Sequence, residues 1–161
     1  MEINQFSYEM EVFRLARDKF STHLSGQGAA IMGARWNSVG VELIYTARNR
    51  SLEMAEVAVH LTLATLPDDY RMVTINIPDH ISFKEVAVDD LPADWRDFPH
   101  PVSTQKIGDH FVIENKHCLL IILSVVTQGD YNVLINPSHK EFNKIFISKI
   151  EKFPFDQRIF K

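Results

Sequence analysis

The sequence predicts an α+β fold in which short strands outnumber helices. Segments with strand-like alternation or apolar β-rich runs recur along the chain, whereas one long segment has clear helical periodicity. Proline and glycine are few, at 7 and 6 residues, and fall mainly between these segments. At 161 residues with 45% hydrophobic content, the chain is predicted to form a single domain over residues 1–161. We therefore expect one sheet of mixed or antiparallel strands with few helices.

The first half of the chain contains two predicted strands and the predicted helix. Met10–Arg17 alternates between two faces, which is typical of a strand. The glycine-rich segment 21–40 is predicted to be a long loop, and long loops in compact domains are often functional. Val41–Thr46 is predicted as the second strand. Asn49–Leu66 is predicted as a helix capped by Ser51 and ended by the following proline.

The second half is predicted to supply the remaining strands. Tyr70–Ile77 lies between prolines and favours a strand, and Ile81–Val88 is a further candidate. The proline-containing stretch Leu91–Ser103 is predicted to be irregular, and Gly108–Lys116 fits either a helix or a strand. Leu119–Val126 is apolar on both faces, as in a central buried strand. The last two predicted strands are Tyr131–Ile135 and Lys144–Ile150.

Composition excludes several classes of protein. A net charge of −4 and a pI near 5.9 disfavour a general nucleic-acid or anionic-membrane surface. The longest apolar run is far shorter than a membrane span, and the acid-containing start MEINQFSYEMEVF lacks a signal-peptide core. The single Cys118 excludes an internal disulfide, and the seven histidines show no zinc-ligand spacing. We expect a cytoplasmic protein with a metal-free site and no cofactor.

A carboxylate lies on the predicted apolar face of the helix. Glu56 follows Leu52 by four residues and precedes Val59 by three, so it shares their stripe. A buried charge needs a cation, hydrogen-bond donors or a ligand. Glu56 is therefore the first candidate functional residue, unless it lies at the edge of the stripe and pairs with an arginine. His60, one turn later, is predicted to lie beside Glu56, either as a binding residue or as a core or edge histidine bonded to that glutamate.

Two arginines are candidates for binding phosphate. Arg14 interrupts an apolar strand, and Arg35 follows a glycine in the loop GARWNS. A guanidinium fork matches phosphate oxygens, and a glycine-rich backbone allows close approach; ordinary ion pairs with surface acids are the alternative. Trp36 and Tyr45 can stack on a base or ring, although core packing is the more common role of an isolated aromatic residue.

Three polar residues accompany the last strands. Ser124 lies in the apolar run LLIILSVV, where it either bonds to backbone or faces a cleft. Asn132 and Asn136 alternate with apolar residues in NVLINPSH, so both amides are predicted to project on one face, with turn chemistry as the alternative. The glycines match neither a Rossmann nor a P-loop pattern.

Taken in order, these segments resemble the RES domain, a family named for Arg, Glu and Ser. The resemblance is carried by VFRLAR, SGQGAAIMGARWNSVGVELIYTA, SLEMAEVAVHL and LLIILSVV followed by NVLINPSH, and it places the core at about 12–158. It matches Arg14, Arg35, Tyr45, Glu56 and Ser124 to family motifs. Leu123 and Lys140 stand where the family usually has proline, and these departures are expected to shift the local backbone more than the chemistry.

The resemblance implies a fold similar to ADP-ribosyltransferases and the toxin of a bacterial toxin–antitoxin pair that consumes NAD as its substrate. The nicotinamide of NAD leaves from a cationic state, so a carboxylate near the ribose is more useful than a general acid. Glu56 is the expected carboxylate, with Arg14 and Arg35 on the diphosphate and Ser124 on ribose or nicotinamide. An Xre-type helix-turn-helix antitoxin and a homodimer are further implied, with DNA contacts left to the antitoxin.

Three functional alternatives follow from this resemblance. NAD is hydrolysed or phosphorolysed, ADP-ribose is transferred to a protein, or the chain is a non-catalytic member that acts through protein contacts. Loss of effect in a Glu56→Gln variant would separate the catalytic alternatives from the last one.

Overall fold

The computed structural model describes residues 9–160 of the chain. Residues 1–8 and 161 lie outside the described residues. They include both ends of the predicted domain and most of the start that was compared with a signal peptide. The described helices and strands are β1 (Met10–Arg17), α1 (Gln27–Met32), β2 (Ile44–Ala47), α2 (Arg50–Ala58), β3 (Tyr70–Ile77), β4 (Phe83–Glu85), α3 (Val102–Glu114), β5 (Leu119–Leu123), β6 (Tyr131–Ile135) and β7 (Phe146–Lys152).

The strands form one mixed sheet in the order β4-β5-β6-β2-β1-β3-β7. β4 runs parallel to β5, and every other neighbouring pair is antiparallel. β1 and β3 pair along their whole length, from Met10↔Ile77 to Arg17↔Tyr70, whereas β1 and β2 share only the register pair Phe13↔Ala47. The predicted α+β class is confirmed, and the sheet diverges between β1 and β2.

Side chains on the two faces of β1 belong to different parts of the core. Val12 and Ala16 pack into a cluster that runs under the sheet to Ile145. Phe13 and Leu15 face the opposite way, where they pack with Met72 and are covered in part by α2. A further cluster around α3 joins Trp36, Leu43, Trp95, Phe111, Leu120, Ile122 and Leu134. The alternation predicted for β1 therefore places apolar side chains on both faces of the strand, and other parts of the chain cover them on both sides.

The predicted long helix is wrong in length and in its cap. α2 ends at Ala58, where His60 and Leu61 donate backbone hydrogen bonds three residues back and tighten the last turn. Thr62 then adopts an extended conformation and caps a separate short 3₁₀ turn, so the helical path cannot continue. The Val59 side chain is consequently 60% exposed, and the apolar stripe does not extend beyond α2.

The N-cap of α2 is Asn49 rather than Ser51. The Asn49 side-chain oxygen accepts a hydrogen bond from the Leu52 amide at 2.7 Å, and its backbone is extended as a cap requires. We expect Asn49→Ala to lower the free energy of unfolding by about 1 kcal/mol, whereas Ser51→Ala should change it by less than about 0.5 kcal/mol. Urea denaturation of both variants tests this, and an equal loss in the two would contradict the assignment.

Other element boundaries also differ from prediction. α3 begins at Val102, within the stretch predicted as irregular, and makes residues 108–114 helical, whereas Asn115 is a left-handed C-cap and Lys116 lies beyond the helix. The loop at 21–40 contains the short helix α1, and the strand predicted at 81–88 is only three residues long. No helix within residues 9–160 is both long enough and apolar enough to cross a membrane.

Candidate functional site

The structure brings Glu56 and Ser124 into direct contact. The Ser124 hydroxyl donates a hydrogen bond to Glu56 Oε1 at 2.6 Å, although the residues are separated by 68 positions in the chain. Glu56 projects from α2 and is half-buried, and Ser124 is 2% exposed directly after β5. Two residues singled out independently in the sequence therefore form one polar pair between α2 and the end of β5.

Ser124 also explains why β5 is shorter than predicted. Its Oγ accepts hydrogen bonds from the Val126 and Thr127 amides, each at 3.1 Å, which turns the chain away from the sheet. The Ser124 amide donates to the Asp130 carbonyl at 2.8 Å and closes the β5–β6 connection. One donor and two acceptor positions of the hydroxyl are thus occupied. In this structure the Ser124 hydroxyl therefore donates to Glu56 while its oxygen accepts from two backbone amides.

Leu123, at the position usually held by proline, does not separate Ser124 from Glu56. Leu123 pairs with Tyr131 as the last residue of β5, and Ser124 follows at the turn. Lys140, at the other departure, is exposed beside the buried His139, whose Nδ1 accepts a hydrogen bond from the Glu141 amide at 3.1 Å. Both departures are accommodated without proline.

Arg35 extends the site toward the loop after α1. Its guanidinium donates to the carbonyls of Trp95 and Asp97 at 2.8 and 2.9 Å, which fixes the side chain on backbone oxygens rather than on a surface carboxylate. Partial burial lowers the pKa of Arg35, while the charges of Glu56 and Asp97 oppose that shift. Arg35 is therefore a cation near Glu56, and an anionic ligand would satisfy it further.

A hydrogen-bond network holds the loop that carries Arg35. The Tyr45 hydroxyl donates to Asn37 Oδ1 at 2.6 Å and accepts from the Trp36 amide at 3.1 Å. The buried Asn37 amide donates to three carbonyls of the surrounding loop. Desolvation raises the pKa of Tyr45, so its hydroxyl stays protonated and keeps its donor role. Tyr45 supports the loop through these bonds.

Arg14 on β1 is within electrostatic range of a second carboxyl group, that of Glu53, which was not predicted as a site residue. Its guanidinium donates to the Ser25 carbonyl at 3.1 Å, and the adjacent Leu15 amide donates to Glu53 Oε1 at 3.0 Å. Burial lowers the pKa of Arg14, and the charge of Glu53 opposes this. The charges of Arg14 and Glu56 both act on Glu53, which lies one turn before Glu56 on α2.

The other predicted site residues have mainly structural surroundings. The Trp36 ring is 3% exposed in the core cluster around α3, so it is not available for stacking in this structure. His60 is exposed in the turn after α2, which ends too early to place it over Glu56. Asn136 bonds the Asn115 side chain and the Ser138 amide, as expected of turn chemistry.

Asn132 lies closer to the polar pair. Asn132 lies on β6 and pairs with Ile122 of β5, two residues after Asp130, whose carbonyl accepts from the Ser124 amide. The Asn132 side chain donates to the Thr46 carbonyl at 3.3 Å. The two amides of NVLINPSH are therefore separated: Asn132 lies near the site, whereas Asn136 fixes a turn at the far end of the strand.

Sequence reasoning missed Glu53, Asn37 and Asp109. Asp109 accepts from the Ser38 amide at 2.8 Å and from the Ser38 hydroxyl, joining α3 to the loop of Arg35. Glu53 is a charged residue beside Leu52 at a helix position that faces β1, and helical spacing from Glu56 was the available signal. Among residues 9–160, no group of three or more His, Cys, Asp or Glu side chains is arranged to hold a metal ion.

The sequence is similar to a known family over most of its length. The RES domain profile matches residues 11–156. A relative named Prs ADP-ribosylating toxin, from Sphingobium sp. (strain YBL2), is 35% identical over 148 residues, covering 91% of this chain and 92% of its own length. Toxin Res from Photorhabdus laumondii is 31% identical over 155 residues, covering 94% and 98%.

A solved structure shares the fold. It is the toxin–antitoxin complex MbcT–MbcA of M. tuberculosis, which matches with a TM-score of 0.71 at 16% identity and covers 91% of this chain and 85% of the matched chain. The family match spans most of the chain, and it includes the strand of Arg14, the helix of Glu56 and the turn of Ser124. The chain belongs to the RES domain family.

Proposed function

We propose that this chain is the toxin of a bacterial toxin–antitoxin pair and that it consumes NAD by cleaving the nicotinamide–ribose bond. The observation that carries the proposal is the 2.6 Å hydrogen bond from Ser124 to Glu56. The positive charge of Arg35 lies within electrostatic range of the same carboxylate. Relatives named Toxin Res and Prs ADP-ribosylating toxin support the toxin assignment and the chemistry of ADP-ribose.

The proposed reaction uses Glu56 to stabilise positive charge. The glycosidic C–N bond breaks with its electron pair going to the nicotinamide nitrogen, so the leaving group departs neutral and needs no proton. The ribose then carries oxocarbenium character, which a nearby carboxylate stabilises. Water attacks the anomeric carbon and loses one proton, giving ADP-ribose, nicotinamide and H⁺. Half-burial strengthens the field of Glu56 at that carbon.

The arginines and Ser124 have different roles in this scheme. Arg35 is the proposed contact for the diphosphate because it is already held on two carbonyls with its charge intact. Arg14 is proposed as a second cation on the same substrate. Ser124 acts through Glu56, since its donated hydrogen bond fixes the carboxylate that faces the ribose.

Ser124→Ala tests this positioning role. Removing the hydroxyl frees Glu56 and leaves the Val126 and Thr127 amides without their acceptor. We expect kcat for NAD cleavage to fall by about 10- to 100-fold, corresponding to the loss of one buried hydrogen bond to a charged group. Steady-state kinetics with circular dichroism as a folding control measures this, and an unchanged kcat in a folded variant would contradict the role.

The acceptor of ADP-ribose separates the catalytic alternatives. Hydrolysis or phosphorolysis is the main proposal, and transfer to a protein is the second, favoured by the relative named as ADP-ribosylating. A non-catalytic protein-binding role is the remaining alternative. An Xre-type antitoxin that covers the site and a homodimer are proposed partners; the shared fold with a chain of a toxin–antitoxin complex supports an antitoxin of some type.

The test is to incubate purified protein, free of antitoxin, with adenine-labelled NAD in three conditions: buffer alone, buffer with phosphate, and buffer with cell extract. Mass-resolved chromatography should find nicotinamide with an equal amount of ADP-ribose or its phosphate. Label attached to protein, with little free ADP-ribose, would show that ADP-ribose is transferred to a protein rather than released by hydrolysis. No nicotinamide from folded protein in any condition would overturn the catalytic proposal and favour the binding role.

A further inference from the structure

A side chain from α2 occupies the place where β1 and β2 separate. These strands share one register pair, Phe13↔Ala47, and Leu15 lies two residues further along β1. The Leu15 amide donates to Glu53 Oε1 at 3.0 Å, so a glutamate of the helix replaces the missing strand partner. α2 is thereby joined to β1 at the residue next to Arg14.

Glu53 is enclosed by the elements that carry the proposed site. Its side chain is buried, and Arg14 on β1 and Glu56 on α2 are the titratable groups that act on it. From β2, Tyr45 is directed to Asn37 instead. Arg50, also on α2, is half-exposed and lies over the Phe13 ring. Arg14 and Glu56 are therefore the two charged groups whose surroundings a displacement of Glu53 would change most directly.

Burial raises the pKa of Glu53 to about 8, with Glu56 adding to the shift and the Leu15 amide and Arg14 opposing it. At neutral pH the carboxyl group therefore holds its proton and accepts from Leu15 as a neutral group. Above that range it becomes a second negative charge beside Glu56, in a site proposed to receive a diphosphate.

We propose that Glu53 is a positioning residue that joins α2 to β1 and so sets the placement of Glu56 relative to Arg14. The inference rests on the proposed function for its catalytic consequence. Ionisation of the Glu53 carboxyl group weakens NAD cleavage, because the new negative charge competes with Glu56 for nearby cations and repels the diphosphate of the substrate.

Two variants separate the contact from the charge. Glu53→Gln keeps an oxygen that accepts from Leu15 but cannot ionise, whereas Glu53→Leu has similar bulk and no acceptor. At pH 7 we expect Glu53→Gln to stay within about threefold of wild-type kcat/KM and Glu53→Leu to lose about tenfold or more. Equal losses in the two folded variants would overturn the positioning role.

The pH profile gives a readout that a merely structural contact would not move. Wild-type kcat/KM should fall as the pH rises through about 8, and the Glu53→Gln profile should lack that alkaline limb. An alkaline limb at the same pH in Glu53→Gln would show that another group titrates and would overturn the electrostatic part of the inference.

Stability provides an independent check with a defined sign. The folded pKa of Glu53 lies above its ordinary value of 4.5, so the native state binds more protons than the unfolded state between pH 4.5 and about 8. Wild-type stability should therefore decline relative to Glu53→Gln as the pH rises across that window. Thermal melts at pH 6 and pH 8.5 measure the difference, and parallel changes in both proteins would contradict it.

NMR distinguishes failure of this inference from failure of the proposed function. The Leu15 amide shift of ¹⁵N-labelled protein should titrate near pH 8 in wild type and stay flat in Glu53→Gln. A flat Leu15 titration in wild-type protein that cleaves NAD would overturn the inference alone. No NAD cleavage by wild type, with the titration present, would overturn the proposed function and the catalytic consequence with it, while supporting the contact.

Discussion

Glu56→Gln is expected to abolish growth arrest in cells that express the chain without an antitoxin. Glutamine has nearly the same shape as glutamate, and its amide oxygen can still accept the hydrogen bond from Ser124. What is lost is the negative charge that stabilises the oxocarbenium-like ribose. Removal of one preorganised electrostatic group typically lowers kcat by about 10²- to 10³-fold, so NAD consumption should fall below the level that stops growth.

The expected kinetic signature is a loss in kcat with KM little changed, because the Glu56 charge acts mainly in the transition state. Glu151→Gln is a suitable control, since Glu151 lies on β7 in partly exposed ion pairs with Arg50 and Lys149. It should arrest growth like wild type. Growth arrest by Glu56→Gln at equal expression would contradict the role of the carboxylate.

Gly108→Ala is expected to produce the largest loss of stability. A Cβ at Gly108 would lie 1.6 Å from the Trp36 carbonyl oxygen and 2.7 Å from its carbon. Backbone cannot yield as a flexible side chain does, so α3 and the Arg35 loop must move apart. We expect a loss of about 3 kcal/mol or more in the free energy of unfolding, well above the gain of about 1 kcal/mol from replacing glycine inside a helix.

Gly28→Ala is the matched control for this change. Gly28 also lies in a helix, α1, and a Cβ there meets no atom within 4 Å. Its stability should be unchanged or raised by up to about 1 kcal/mol. Urea denaturation of the two variants makes the comparison. A Gly108→Ala protein as stable as wild type would contradict the close approach of α3 to Trp36.

The residues of β1 and β3 could be predicted from the sequence because both strands are long and regularly patterned. Met10–Arg17 and Tyr70–Ile77 are observed with the predicted bounds. The end of β5 could not be predicted in this way, since the apolar pattern continues through Val126. The chain leaves the sheet because the Ser124 hydroxyl binds the following amides, which hydrophobic periodicity does not report.

The candidate site could be predicted in part. A carboxylate on an apolar helix face and a hydroxyl in an apolar strand were visible as exceptions to their patterns, and Glu56 and Ser124 meet in the structure. Glu53 was not visible in the same way, because its burial depends on the separation of β1 from β2. The role assigned to Trp36 depended on exposure, which tertiary packing decides.

The most direct test of NAD cleavage through Glu56 is the rate of nicotinamide release from NAD by the purified chain, measured beside Glu56→Gln. Wild type should release nicotinamide steadily, matched by loss of NAD, and the folded variant should release it at least about 100-fold more slowly. Equal rates in the two proteins would place the reaction outside the Glu56–Ser124 pair. No release by folded wild-type protein, with or without phosphate or cell extract, would contradict NAD cleavage itself.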